Sequence, residues 1–351
     1  MRTMKSSRLF TILSCALLLC VSVYSTQART ASKSALPAEH QRGLEQTLLT
    51  FPEWFLVFSP HEYASFIAHE RASDFPFYGH IGQFWQSYRA VSKEASAQNL
   101  NPNPGYHLMV MVIGVSTTVE YALKSAYETL IGRLTEASAS GPTEEDHYAA
   151  KVARDYVDFI RIYPWYEYAY ADKLKGLWHE TSWSGNNMLR KWERKFALST
   201  EYLAKMIYAK MIMLGTKSIY DAPLPMTGVV TDKAPTIDPQ LPHLKVLSQL
   251  ESGQSVIVIP RYEAFTTYSR NLAKQGLNFE DIAGNREFIL VSVLATKNWK
   301  PANNSRLLFS QVILTQPDQQ RFALLVPVNQ LATSLRDWDL AQVEVEHVFD
   351  Y

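Results

Sequence analysis

The sequence predicts an α-helical N-terminal domain followed by a smaller α+β domain. Three observations support this: helical hydrophobic periodicity up to about residue 220, five prolines between Ala222 and Pro242, and short β-rich runs beyond residue 245. A chain of 351 residues is long enough for two domains. An apolar share of 47% supplies material for two cores and excludes wholesale disorder.

Residues 1–28 have the pattern of a targeting segment. Three basic residues precede the uncharged run Leu9–Tyr24, and the small residues around Ala28 match a signal-peptidase site. The run is shorter than the ~20 residues that span a bilayer, which favours a cleaved signal peptide over the alternative, an N-terminal anchor. Both cysteines, Cys15 and Cys20, lie in this segment. Its removal would leave a chain without thiols or disulfides.

The lead at residues 29–40 is small and polar and is predicted to be flexible, and the helical domain is predicted over residues 41–220. The central element of this domain is a long helix from about Asn103 to Glu136, preceded by a turn signal at Asn103-Pro104-Gly105. Nearly every residue from Leu108 to Val115 is apolar, so we expect this half to be buried as a core helix. The alternative is a membrane segment over Leu108–Val119.

Further helix starts are predicted at Ser59-Pro60, at Gly79 and at Thr143, where Asp146 stands at the third helical position of a capping box. A basic helix follows from about Asn186 to Ser218. It carries seven Lys and Arg residues against two Glu residues. This charge suits contact with an anionic leaflet, although its apolar residues also suit an ordinary core face.

Residues 221–244 are predicted to be a proline-rich linker, and residues 245–351 the α+β domain. The predicted order β-α-β-β-β-α-β resembles a ferredoxin-like split β-α-β sheet with one extra strand. The predicted strands are Ser255–Pro260, Phe288–Ala295, Leu307–Thr315, Arg321–Val328 and Gln342–Phe349, and the predicted helices are Tyr262–Gln275 and Asn329–Trp338.

The chain carries no motif that predicts a cofactor or a metal: GxGxxG, P-loop, HExxH and cysteine-cluster patterns do not occur. Glu144-x-x-His147 has the spacing of a di-iron ligand pair, but the chain has no second copy. Acids are favoured in a first helical turn in any case, so we expect a solvated charged face there. The balance of 34 basic and 34 acidic residues argues against a nucleic-acid partner.

His80, His107 and Glu120 are the catalytic candidates. Both histidines adjoin glycine and aromatic residues near helix starts, and Glu120 follows directly on an apolar run. A lone histidine is more often a satisfied structural group, and Glu120 fits an ordinary ladder of charges with Lys124 and Glu128. We therefore favour structural roles for all three.

The leading hypothesis is an exported, bacterial-type protein, either periplasmic or attached to the inner membrane. Its role would be binding or assembly at the cell envelope, with a membrane surface or an envelope protein as partner. The second hypothesis is an enzyme acting on a small apolar or lipid-like ligand, with His80 or His107 and Glu120 as acid and base. The third is an integral membrane protein with Leu9–Tyr24 and Leu108–Val119 embedded.

Overall fold

The structure confirms the division into an all-α part and an α+β part: helices fill residues 38–216 and the first strand begins at Met226. The computed structural model describes residues 34–216, 225–236, 238–302 and 304–350. The predicted targeting segment at 1–28 and much of the lead at 29–40 lie outside the described residues.

Seven α-helices are described before Thr216. They are α1 (Leu44–Ile67), α2 (Phe77–Ala97), α3 (Pro104–Tyr127), α4 (Arg133–Ala137), α5 (Glu144–Ile160), α6 (Tyr170–Glu180) and α7 (Met188–Thr216). A π-helical turn at Glu128–Gly132 joins α3 to α4, so that Pro104–Ala137 is one helix of 34 residues. The predicted central helix therefore exists with nearly the predicted bounds.

Among the predicted helix starts, those at Asn103 and Thr143 are formed as expected, the one at Gly79 falls two residues after the observed start at Phe77, and the one at Ser59-Pro60 is not formed. Asn103 caps α3 by accepting from the Tyr106 amide, and Thr143 and Asp146 form the capping box of α5. Ser59-Pro60 does not start a helix, because α1 continues through it. The Ser59 hydroxyl bonds instead to His80, so it is not available as a cap.

The C-terminal part contains two four-stranded sheets. The elements are β1 (Met226–Thr231), β2 (Lys245–Gln249), β3 (Ser255–Pro260), α8 (Glu263–Lys274), β4 (Phe279–Ile282), β5 (Phe288–Thr296), β6 (Arg306–Val312), β7 (Gln319–Pro327), α9 (Val328–Leu340) and β8 (Glu344–Val348). The strand orders are β2-β3-β1-β4 and β6-β7-β5-β8, and every pairing is antiparallel.

The possibility of a single ferredoxin-like sheet is therefore wrong, because that fold needs parallel strands on either side of a crossover helix. The sequence pattern missed β1, β2 and β4. The first of these lies inside the predicted linker at 221–244 and pairs with both β3 and β4. Its six residues, from Met226 to Thr231, are nearly all buried.

The two sheets are tandem copies of one β-β-β-α-β unit, because their registers and irregularities coincide. Met226 lies opposite Pro260 in the first unit, and Phe288 lies opposite Pro327 in the second. Both second strands carry a bulge, one between Val246 and Ser248 and the other between Leu307 and Phe309. Both fourth strands shift register against the first strand of their sheet, after Val230 and after Ser292. Because β-bulges are specific features of a fold and not defects, bulges at matching positions support a repeat.

The two units pack reciprocally, since α8 lies against β8 and α9 lies against β4. A single core runs through both units, and it includes Ile257 and Phe265 from the first and Leu324 and Leu331 from the second. The two units are arranged like the two subunits of a symmetric dimer, although both belong to one chain.

The helical part rests on the second sheet through aromatic residues of α1. The Phe51 ring lies 4.9 Å from that of Phe309 and 5.4 Å from that of Phe349. Helix α2 then packs closely on α3 at Gly114, where a Cβ atom would lie 2.2 Å from the Phe84 ring. Ser34–Tyr351 consequently form one compact unit, with α3 packed on α1 and α2, and α7 packed on α5 and α6.

The repeat predicts opposite effects of glycine at two equivalent positions. Gly276 follows α8 and Gln342 follows α9, with φ angles of +77° and +54°. We expect Gln342→Gly to raise the free energy of unfolding by about 0.5 kcal/mol and Gly276→Ala to lower it by about 1 kcal/mol, because only glycine adopts this conformation without strain. Urea unfolding measures both changes in the free energy of unfolding.

Gly82→Ala is the control for these substitutions. Gly82 lies within α2, where an added Cβ meets no atom within 4 Å, so this change should stabilise the protein by about 0.5–1 kcal/mol. A neutral Gly276→Ala together with a destabilising Gln342→Gly would contradict the equivalence of the two positions.

Candidate functional site

The structure places His80, His107 and Glu120 in separate clusters. His80 bonds to Ser59, His107 lies 3.0 Å from Glu45, and the Glu120 carboxylate lies 2.9 Å from the Lys205 ammonium. Among the contacts recorded for the described residues, none joins either histidine to Glu120. The acid-base pairing of the enzyme hypothesis is therefore not assembled.

His80 belongs to a buried chain of polar groups. Its Nδ1 atom lies 2.9 Å from Ser59 Oγ, its Nε2 atom lies 3.6 Å from Glu62 Oε2, and Ser59 Oγ lies 2.8 Å from the Tyr121 hydroxyl. The order Ser-His-Glu is that of a nucleophilic triad. However, none of these side chains is more than 7% exposed, so a substrate has no route to Ser59. The contacts are those of a structural cluster.

This cluster ties the helical part to the second sheet through Arg321 of β7. The guanidinium donates to Glu62 of α1 at 3.1 Å and to Glu346 of β8 at 2.6 Å. Burial raises the pKa of Glu62, although the adjacent Arg321 charge acts in the opposite direction. Arg321 itself is 2% exposed, so its charge is balanced by the two carboxylates and not by solvent.

The buried histidine predicts a loss of stability in mild acid. Burial lowers the pKa of His80 to about 3, whereas an unfolded histidine titrates near 6.5. Between these values the unfolded chain binds the extra proton, so stability falls as the pH falls below about 6.5. We expect His80 to account for about 2 kcal/mol of the loss between pH 7 and pH 5.

Urea unfolding of His80→Gln at the two pH values tests this. The variant should lose about 2 kcal/mol less than the wild type on acidification. His147→Gln is the matched control, since His147 is exposed and should leave the pH dependence unchanged. A wild-type pH dependence in His80→Gln would show that another group causes the loss.

The most unusual surface lies on α3, α4 and α7. Sixteen large apolar side chains on these helices are between 38% and 71% exposed. We call this set the outer face: Leu108, Met111, Val112, Val115, Val119, Leu123, Leu130, Ile131, Leu134, Met188, Leu189, Trp192, Phe196, Leu203, Ile207 and Met211. The expectation that Leu108–Val115 would be buried as a core helix is therefore wrong: only 22% of the most apolar window of this helix is buried.

The outer face is large by the standard of soluble proteins. A burial free energy of about 1.5–3 kcal/mol at about 25 cal/mol/Å² corresponds to roughly 60–120 Å² of apolar surface for each side chain. Sixteen such side chains, about half exposed, present roughly 500–1,000 Å². Divided between the two stretches Leu108–Leu134 and Met188–Met211, this area is comparable with the largest patch on a typical monomer, about 300–600 Å², and such patches often have a function.

The cations of α7 point inward, away from the outer face. Arg190, Lys191, Arg194 and Lys195 are each at most 3% exposed. Their ion-pair partners are six carboxylates, those of Glu128, Glu136, Glu144, Glu145, Asp146 and Glu193. The idea that this helix offers its basic face to an anionic leaflet is thus wrong for these four residues. Their charges are neutralised by these ion pairs inside the protein.

The π-helical turn between α3 and α4 contributes the Glu128 carboxylate and the Gly132 carbonyl to this ionic cluster. Arg194 bonds to both carboxylate oxygens of Glu128, at 2.9 and 3.2 Å, and Arg190 donates to the Gly132 carbonyl at 3.2 Å. A Cβ atom at Gly132 would lie 2.2 Å from the Glu128 carboxylate. Burial alone would raise the pKa of Asp146, yet the neighbouring Arg190 guanidinium lowers it. The carboxylates therefore remain charged partners of the cations.

Glu144, the first residue of the Glu144-x-x-His147 pattern, is part of the same cluster. Hydrogen bonds from Ser182 and from Lys191 lower the pKa of Glu144 to about 2. Within the described residues no group of three or more His, Cys, Asp or Glu side chains is arranged to hold a metal ion. Glu144 instead connects the start of α5 to α7.

Charged pairs also join α3 to α7 along their length. Lys124 lies 3.0 Å from Glu201, and Glu120 lies 2.9 Å from Lys205. Residue numbers rise along α3 while those of the partners fall along α7, so the two helices are antiparallel. The contacts that join α3 to α7 are therefore ionic.

A substitution inside the ionic cluster should cost far more than one in an exposed pair. We expect Arg194→Met to lower the free energy of unfolding by about 3–5 kcal/mol, because it leaves the Glu128 carboxylate buried without its cation and removes one of the two cations paired with Glu193. Lys151→Met removes an ion pair whose side chains are 67% and 51% exposed. It should cost at most about 1 kcal/mol.

Urea unfolding of the two variants provides the comparison, since each replaces one cation by the same apolar residue. Equal losses would contradict the assignment of the α7 cations to the interior.

The chain matches no protein-family model, no curated protein and no solved structure. Its function must therefore be argued from the surfaces and clusters described above. Among the described residues, Pro104–Ala137 is the one helix that is long and apolar enough to cross a bilayer. The sequence pattern identified the apolar sides of this helix and of α7, but it favoured a core position for both.

Proposed function

We propose that this protein has a binding or assembly role at the cell envelope and that its outer face rests on a lipid bilayer. Export through the segment at residues 1–28 would bring the chain to the periplasm, next to the inner membrane. The reversed polarity of α3 and α7 is the observation that supports this proposal.

The reversal is clearest in α7. A surface helix of a soluble protein buries its apolar stripe and exposes its charges. In α7, Arg194 and Lys195 are at most 3% exposed whereas Phe196, the next residue, is 65% exposed. Protein in contact with lipid has this distribution, since charges then face the interior and pair with one another. Contact with water would disfavour this distribution of charged and apolar side chains.

The packing of the two helices favours a position along the membrane surface over a membrane span. The inner sides of α3 and α7 are covered by α1, α2, α5 and α6, and α1 in turn carries the second sheet. A spanning orientation of α3 would draw these elements into the hydrocarbon together with their exposed charges, such as Arg89 and Lys93 of α2. With the helices parallel to the bilayer, only the outer face enters it.

Apolar contact, not charge, would provide the affinity. Accessible charges on these helices are few: Lys210 is exposed, Arg133 is paired with Asp74, and the 42% exposed Glu120 is paired with Lys205. Binding should therefore occur on uncharged vesicles and should change little between low and high salt.

Two aspartates on the outer face should abolish this binding. We expect Val115→Asp/Leu123→Asp to weaken partition into phosphatidylcholine vesicles at least tenfold, because each carboxylate would have to leave water. The two parent residues are 52% and 67% exposed, so the variant should keep its fold and its circular dichroism spectrum. Vesicle flotation measures the bound fraction.

Leu340→Asp is the matched control, since Leu340 is 84% exposed at the end of α9 and does not belong to the outer face. It should float like the wild type. Unchanged flotation of the double variant would contradict the proposal. A wild-type protein that avoids vesicles and forms dimers would assign the outer face to a second copy of the chain.

A further inference from the structure

Three tryptophans cluster at the N-terminal end of α7. The ring centroids of Trp178 and Trp183 are 5.2 Å apart, those of Trp183 and Trp192 are 5.8 Å apart, and those of Trp178 and Trp192 are 6.1 Å apart. Trp183 is 61% exposed and Trp192 is 40% exposed. We call Trp178, Trp183 and Trp192 the tryptophan cluster.

The tryptophan cluster forms one edge of the outer face. Trp192 belongs to both, with Leu189 one turn before it and Phe196 one turn after it on the same side of α7. Trp183 lies outside the helix, on the polar loop that precedes it. Indole rings at the edge of an apolar surface occupy the place that tryptophan takes at membrane interfaces, level with the lipid headgroups.

The inner side of the cluster already holds an ammonium group. The Lys195 Nζ atom lies 5.2 Å from the centroid of the Trp178 ring, within the range of a cation–π interaction. Tryptophan is the strongest side chain for such contacts, which are also used to recognise quaternary ammonium ligands. The exposed faces of Trp183 and Trp192 can offer the same interaction to a cation from outside.

The two buried cations next to the tryptophan cluster are already paired with carboxylates. Lys191 and Lys195 are buried and paired with Glu144 and Glu145, so neither cation is presented to an outside anion. The Glu144 side chain is 54% exposed, and its carboxylate accepts hydrogen bonds from Ser182, the neighbour of Trp183. This half-exposed carboxylate, paired with Lys191, thus contacts the residue that precedes Trp183.

We propose that Trp183 and Trp192 bind the ammonium part of a zwitterionic phospholipid headgroup when the outer face lies on the bilayer. This inference depends on the proposed function and specifies the lipid chemistry of the same surface. It predicts that the protein prefers phosphatidylcholine to phosphatidylglycerol, because the latter headgroup has no ammonium.

Flotation of the full chain with vesicles of each lipid tests the inference. Trp183→Leu/Trp192→Leu keeps the residues apolar but removes the indole rings, so we expect partition into phosphatidylcholine to weaken about tenfold. Partition into phosphatidylglycerol should weaken less, because only the apolar contact of the two residues is reduced there, so the preference for phosphatidylcholine should fall. Phe196→Leu is the matched control, since Phe196 is 65% exposed on the outer face and is not in the cluster. It should leave the preference between the two lipids unchanged.

Several outcomes would overturn the inference. One is wild-type binding to phosphatidylglycerol at least as tight as to phosphatidylcholine, and another is a double variant that keeps the wild-type preference. In both cases the proposed function would stand if the wild type still floats. If the wild type binds neither vesicle, the proposed function fails as well. Trp183→Leu alone, on an exposed loop, provides the same comparison if the double variant does not fold.

Discussion

The ionic cluster that joins α7 to the π-helical turn, α4 and α5 determines the polarity of the helical part. Four cations and six carboxylates meet there, and the cations are at most 3% exposed. Removing such charges from water is costly, so each must keep its partners and the helices cannot rotate about their axes. Because the charged side of α7 faces inward, its apolar side must face outward. The outer face is thus the consequence of the buried ion pairs.

Much of the fold could be predicted from local pattern, and the failures have physical causes. The SVIVIP run gave strand β3 at Ser255–Pro260, and the capping box at Thr143 gave the start of α5. Strand β1 was hidden among prolines, and β2 has five exposed residues without an apolar alternation. The sequence pattern gives no signal of the tandem repeat, because the two units resemble each other in strand register and in the positions of their bulges. These depend on which strands pair, and pairing is not encoded in a local window.

The candidate surface could be predicted only in part. The apolar run from Leu108 to Val115 is evident in the sequence, but periodicity does not state whether an apolar side faces a core or a membrane. The same limit applies to α7, where seven cations suggested a basic surface, although Arg190, Lys191, Arg194 and Lys195 pair with carboxylates inside the protein. Those partners come from the π-helical turn and from α5, about 45–65 residues earlier in the chain. His80 shows the converse: its neighbours Ser59 and Glu62 resemble a catalytic set, and only burial identifies them as structural.

A spin label at position 196, in a chain with Cys15→Ser and Cys20→Ser, tests most directly whether the outer face enters a bilayer. The label's collision rates with oxygen, which concentrates in lipid, and with a water-soluble nickel complex report its surroundings. On addition of phosphatidylcholine vesicles we expect collisions with oxygen to rise and those with nickel to fall, while a label at position 340 stays unchanged. If the label at 196 remains as accessible to nickel with vesicles as without them, the outer face does not contact lipid and the account is wrong.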